Sequence, residues 1–200
     1  MKKAIIVFDT VSGSTREMAE IIRDEMKGLS IDIDIARVDD ITSLDGYDVV
    51  IIGSPMRFGA FTAKIKKIIK KYRNELSSKK VIYYFSSLYI INLKEEEQPA
   101  ITLYIDPTLN IQKISKRYAT PMDKTHSIGY YYQAILKHTA GITPLAIAFF
   151  NGRLDLQKLN IFERLFMKIV TSVTTKERIG EFLDPDSVRK GAAIFRNSLI

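Results

Sequence analysis

Apolar runs recur along this chain at spacings that only a few folds can accommodate. "KAIIVFD", "YDVVIIGSP", "KVIYYFSS" and "TPLAIAFFNG" are each a short run of β-branched, aromatic and small residues closed by a polar or glycine turn. Continuous apolar runs of this length suit strands buried on both faces. Between them lie segments with helical periodicity: about 14–27, then 61–76, then "YYYQAILKHTAG", ended near Gly141. Beyond the last run come "NIFERLFMKIVTSV" and a final helix, "DPDSVRKGAAIFRNSL", started by Asp184 and Pro185. Strand and helix in alternation predict right-handed crossovers and a parallel sheet. "IDIDIARV" alternates isoleucine with aspartate, so it is expected at a sheet edge.

Residues 93–127 break the pattern. They hold Pro99, Pro107 and Pro121 and the acidic run 95–97, and they read as an insertion with at most short structure of its own. With 200 residues and 46% apolar composition, the whole is expected to form one domain, 1–200, carrying that insertion.

Composition narrows the chemistry. There is no cysteine, which excludes disulfides, thiolate metal sites and a cysteine nucleophile and suits a reducing cytoplasm. His126 and His138 stand twelve residues apart without an acidic cluster, so no metal site is expected. The start reads as a first strand rather than a signal peptide, because only five apolar or small residues separate Lys3 from Asp9. The net charge of +7 is concentrated in the 61–76 helix, where Lys64, Lys66, Lys67, Lys70, Lys71 and Arg73 face one acid, Glu75. A solvated face is the ordinary use of such a stripe. An anionic membrane surface, an acidic partner or an acidic small molecule could also use it. No RNA-binding aromatic motif or recognition-helix pattern accompanies it, so nucleic acid is not expected.

In an open parallel sheet, ligands bind at the carboxyl ends of the strands. Three loops fall there. The first carries Thr10, Ser12, Gly13, Ser14 and Thr15 where a strand hands over to a helix; hydroxyls, backbone N–H groups and a helix N-terminus together attract phosphate. A capped helix with nothing bound would use the same residues. The second loop carries Pro55, Met56, Arg57, Phe58 and Gly59, and offers an apolar wall with backbone amides to a flat heteroaromatic ring. The third is Ser86, Ser87, Leu88 and Tyr89. Core capping is the plain alternative for Met56 and Phe58, and ordinary loop packing for Tyr89.

These residues resemble the flavodoxin-like FMN proteins, with Thr10, Ser12, Gly13 and Thr15 similar to that family's phosphate loop. The resemblance covers most of the chain outside 93–127. It implies a three-layer α/β sandwich around a five-stranded parallel sheet of order 2-1-3-4-5, with a long insertion after strand 4. A narrower resemblance is to the menaquinone-dependent protoporphyrinogen IX dehydrogenases, through Arg57, Phe58, Gly59, Ala60 and Phe61, and through Gly152, Leu154, Arg164, Met167 and Lys168. Pro55 stands where that family is expected to have serine, and the 93–127 segment is longer than its counterpart. The resemblance implies FMN as cofactor, with the first loop on the phosphate and the other two beside the ring, Tyr89 stacking. It also implies a quinone or porphyrinogen-like small molecule as reaction partner. No catalytic side chain is nominated. A phosphoacceptor receiver domain is set aside because Gly53 and Ser54 stand where its third strand would end in aspartate. A dinucleotide fold is disfavoured because the first turn has Gly13 alone. An FMN oxidoreductase, a flavodoxin-type electron carrier with a redox partner protein, and a non-enzymatic binding module remain. The basic balance, with a pI near 9.4, speaks against the carrier.

Overall fold

The computed structural model describes residues 2–56, 60–94, 101–155, 157 and 180–200. The helix expected over "NIFERLFMKIVTSV" lies outside the described residues, as do Arg164, Met167 and Lys168 of the narrower resemblance.

The central sheet is parallel and three-layered in its packing. Strands β1 (Lys2–Phe8), β2 (Ile31–Arg37), β3 (Val49–Pro55) and β4 (Lys80–Ser87) are followed in the chain by β5 (Tyr89–Leu93), β6 (Thr102–Ile105), β7 (Asn110–Ile114) and β8 (Ala146–Asn151). Helices α1 (Ser14–Met26), α2 (Ala63–Lys71), α3 (Arg73–Ser77), α4 (Pro121–Thr125), α5 (Ile128–His138) and α6 (Pro185–Leu199) cross between or follow them. Successive side chains of a strand point to opposite faces, and here both faces are buried. Ala4, Ile6, Val49, Ile51, Ile82, Tyr84, Ala148 and Phe150 pack with Met18, Ile22 and Met26 of α1 and Val188, Phe195 and Leu199 of α6. Ile5, Val7, Val50, Ile52, Tyr83, Phe85, Ile147 and Phe149 pack with Ile65 and Ile69 of α2, Leu76 of α3 and Tyr131 and Ile135 of α5. The continuous apolar runs are thus the central strands. "IDIDIARV" forms the outer strand β2, and Asp34 there accepts the Tyr47 hydroxyl at 2.7 Å.

The sheet has six strands, in the order β2-β1-β3-β4-β8-β6, rather than the expected five. β8 takes the fifth position. The sixth, β6, comes from the insertion: residues 102–105 run parallel to 146–149 on the outside of β8. The reason is an unpaired edge. β8 would otherwise end the sheet with free N–H and C=O groups beside buried side chains, and an adjacent strand satisfies them. The insertion also pairs β5 with β7 in a separate two-stranded parallel ribbon, so it carries more regular structure than its prolines and charges suggested. Asp106, fully buried just past β6, locks this arrangement. Its carboxylate accepts from the Thr108 N–H at 2.8 Å, the Thr108 hydroxyl at 2.7 Å and the Asn151 N–H at 3.0 Å.

Candidate functional site at the carboxyl edge of the sheet

The turn after β1 is built around Gly13. Its φ of 94° lies in the left-handed region, which favours a residue without a Cβ, and it serves as the N-cap of α1. It has no side chain to satisfy the free N–H groups of the first helical turn, so those groups are left for an anion. The loop is braced from within: the Gly13 N–H donates to Thr10 Oγ1 at 3.0 Å, and the Thr10 N–H donates to buried Asp9 Oδ1 at 3.0 Å. Ser12, Ser14 and Thr15 are all buried. Thr15 Oγ1 has no hydrogen-bond partner in the protein, although Thr15 is only 1% exposed. A buried hydroxyl without a partner costs about 1–3 kcal/mol, and a phosphate oxygen at this helix end would satisfy it.

The three loops meet at Ser86. Its hydroxyl lies 3.1 Å from that of Ser14, and its carbonyl accepts the Met56 N–H at 2.8 Å. Pro55 ends β3 opposite Ser86, which ends the same register on β4. Met56 is half-buried against the core of the α2/α5 layer. Arg57, Phe58 and Gly59 of the second loop lie outside the described residues. In the third loop Ser87 is buried and donates to the Tyr89 carbonyl at 3.2 Å, while Leu88 is half-exposed. Tyr89, expected as a stacking ring, has contacts within the protein. It begins β5, is 8% exposed, packs its ring 5.9 Å from that of His126 and donates its hydroxyl to Gln112 Oε1 at 3.2 Å.

A fourth loop, which motif reading did not single out as a site, joins this edge. Gly152 follows β8 so closely that a Cβ on it would stand 2.1 Å from Ser86 Oγ. Next to it, Arg153 donates to the Ser12 carbonyl at 3.1 Å and to both carboxylate oxygens of Glu17, at 2.9 and 3.1 Å; it also pairs with Glu181. These hydrogen bonds, to Glu181 first and to Glu17 after it, raise the Arg153 pKa further above its already high value. The available sequence signal was positional: Arg153 follows the last apolar run, just past the carboxyl end of β8, and therefore reaches the same edge as the other loops.

On the α2/α5 layer, Lys64 pairs with Asp39 at 2.5 Å. Lys67, Lys70, Lys71 and Lys137 are exposed and Lys66 half-exposed, and among the described residues none of these five forms an ion pair with a carboxylate. Desolvation, then the charges of Lys66 and Lys137, lower the pKa of His138 beside them. Among the described residues, no helix is long and apolar enough to cross a membrane, and no group of acidic or histidine side chains could hold a metal ion.

A three-layer α/β/α sandwich with a glycine-braced, hydroxyl-rich turn at the end of its first strand is the arrangement of an FMN-binding flavodoxin-like protein. The family profile described as flavodoxin domain matches residues 5–179, and the chain belongs to that family. FMN is its cofactor, and the hydroxyls and helix N-terminus of the first loop fit the phosphate of that group. The chain is 32% identical over 104 residues to the protoporphyrinogen IX dehydrogenase [quinone] of Escherichia coli (strain K12), covering 51% of this chain and 57% of that protein. It thus matches little more than half the length of that relative. The Leishmania major protein of the same name is 22% identical over 202 residues, covering 96% of this chain and 74% of its own. Among solved structures, the rubredoxin oxygen:oxidoreductase of Desulfovibrio gigas aligns with a TM-score of 0.51 at 9% identity, covering all of this chain and 36% of that one, a likeness of fold.

Proposed function

We propose that this chain is an FMN-dependent oxidoreductase that takes reducing equivalents from a porphyrinogen-like donor and delivers them to a quinone-type acceptor. The observation that carries the reading is the 32% identity to a quinone-dependent protoporphyrinogen IX dehydrogenase, on a fold whose loops converge at one sheet edge. FMN supplies reversible redox chemistry when bound; the protein binds and orients it and controls access to it. Thr10, Ser12, Ser14 and Thr15 hold the phosphate, with the Thr15 hydroxyl and the N–H groups of the first turn of α1 as donors. Pro55 and Met56 form one flank of the ring site, and the family resemblance assigns Arg57, Phe58 and Gly59 to the same binding role. The other flank is Ser86, Ser87 and Leu88 with the backbone of Tyr89, whose ring is engaged in the insertion. The insertion borders this edge through Asp106 and Asn151 and selects what reaches it. The basic α2/α5 face favours carboxylate-bearing donors or an anionic membrane surface, where a quinone is available.

A flavodoxin-type electron carrier with a protein partner is the second reading, favoured by the family match itself. Turnover separates the two. The FMN-loaded protein should oxidise protoporphyrinogen IX with menadione as acceptor. Reduction of the flavin by a flavodoxin reductase, with no turnover of any porphyrinogen and quinone pair, would favour the carrier.

A further inference from the structure

Arg153 sits 141 residues from Ser12 in the chain and yet donates to its carbonyl. Its side chain is 20% exposed and saturated by two glutamates, Glu17 in the first turn of α1 and Glu181 in the strand pair that residues 153–154 form with 180–181. A Cβ on Gly13 would stand 3.4 Å from Arg153 Nη1, so the guanidinium lies directly against the left-handed turn.

Two consequences follow from this placement. The carbonyl of Ser12 precedes the Gly13 N–H in one peptide unit. A donor on that carbonyl therefore fixes the orientation of the peptide plane and of the N–H groups that follow it. Glu17, meanwhile, is well placed for the helix but badly placed for a phosphate. A carboxylate in the first turn stabilises the helix dipole, yet it repels a dianion brought to the same end. A bidentate guanidinium on Glu17, shared with Glu181, offsets part of that charge while holding the carboxylate's geometry.

We infer that Arg153 is a positioning residue for the FMN phosphate: it fixes the Ser12–Gly13 peptide and, shared between Glu17 and Glu181, offsets part of their negative charge, making the loop after β1 ready for a dianion. This rests on the assignment of the phosphate to residues 10–15. The inference also links the loop after β8 to cofactor affinity, since the two are held together through one side chain.

Comparing FMN with riboflavin isolates the effect, because the two ligands differ only in the phosphate. Apoprotein of the full chain is titrated with each, following quenching of flavin fluorescence. Arg153→Met should weaken FMN binding by about tenfold or more while leaving riboflavin affinity within about twofold. Arg153→Lys, which keeps the charge without the fork, should fall between. Adding Glu17→Gln to Arg153→Met should recover part of the loss, because one of the two carboxylates left without their cation, the one in the first turn of α1, is gone. Equal weakening of both flavins by Arg153→Met would show a general structural role and overturn the inference. So would unchanged FMN affinity, or a double variant no better than the single one. If Arg153→Met does not fold, the Arg153→Lys and Glu17→Gln single variants still decide: Lys must weaken FMN selectively, and Gln must not weaken it. Ser12→Ala with Thr15→Ala is the reference. If that pair leaves the FMN to riboflavin ratio unchanged, the phosphate assignment itself has failed; if it changes the ratio and the Arg153 variants do not, only the inference about Arg153 has.

Discussion

The ring of Tyr84 lies across Gly53, so close that a Cβ on the glycine would stand 2.0 Å from Tyr84 Cζ, and the Tyr84 hydroxyl donates to the Thr15 carbonyl at 2.9 Å. A missing side chain on β3 thus lets an aromatic on β4 reach the first turn of α1. The contact ties the start of α1, and the loop before it, to the middle of the sheet. Burial also pushes the Tyr84 phenol well above its ordinary pKa, which keeps it a hydrogen-bond donor.

Gly53→Ala should therefore destabilise the fold by roughly 1–3 kcal/mol through overpacking, and weaken FMN binding as Tyr84 is displaced from Thr15. Tyr84→Phe keeps the ring and loses only the bond, so about 1 kcal/mol is expected. Urea unfolding with flavin titration measures both. A Gly53→Ala protein as stable as the parent would show that the tyrosine does not occupy this position.

The hydroxyls of the first loop make a second prediction. Ser12→Ala combined with Thr15→Ala should weaken FMN binding by at least about tenfold, since charge-assisted bonds contribute roughly 1.5–3 kcal/mol each. The same change should not lower the stability of the apoprotein through Thr15 Oγ1, which has no protein partner to lose. Affinity unchanged from the parent would move the phosphate elsewhere.

Asp106 makes the insertion part of the sheet, and its removal should be felt globally. Asp106→Ala leaves the Thr108 and Asn151 N–H groups without their acceptor and is expected to cost roughly 2–4 kcal/mol. Replacing 94–126 by a Gly/Ser linker would remove β6 along with any lid, so it confounds access with stability. The proposed selection of substrates by the insertion is better tested at Tyr118, which is 74% exposed. Tyr118→Ala should alter donor or acceptor KM without moving the unfolding midpoint, and identical kinetics across several donors and acceptors would separate this part of the insertion from the site.

His138 reports on the basic face. Its pKa is held below the ordinary 6.5 by desolvation first and then by Lys66 and Lys137. As pH falls past 6.5 the unfolded chain takes up a proton that the folded chain resists, so this residue's contribution to stability is present above 6.5 and is lost as pH falls through the folded pKa. The parent should lose stability between about pH 7 and pH 5 more steeply than His138→Gln. Following the imidazole by NMR gives the direct check, with titration at or above 6.5 as the contrary result.

The same face should associate with anionic vesicles in a salt-sensitive manner, because charges of this kind are screened over about 8 Å at physiological ionic strength. Cosedimentation with phosphatidylglycerol and phosphatidylcholine vesicles at low and high salt tests it, using a Lys66→Gln, Lys67→Gln, Lys70→Gln, Lys137→Gln variant as control. Equal partitioning under all conditions would leave a solvated helix face.

The layers of this protein are written locally. Continuous apolar runs need cover on both sides, helical periodicity supplies one apolar stripe per helix, and "IDIDIARV" with its aspartates can only tolerate an edge; each of these is a statement about neighbours in the chain. The turn at Gly13 is equally local, since it needs only a glycine between a strand and a helix. Pairing across the molecule is not local. β6 lies in the short run "ITLYI" inside a segment otherwise marked by prolines and charges, and its place in the sheet depends on the edge that β8 offers. Tyr89 looked like a free loop aromatic until β7 gave it a strand to pair with. Arg153 and Glu17 are separated by 136 residues, and their bond depends on two strand ends arriving at one edge of one sheet. Periodicity records which face a residue turns inward; only the folded sheet decides which residues then meet.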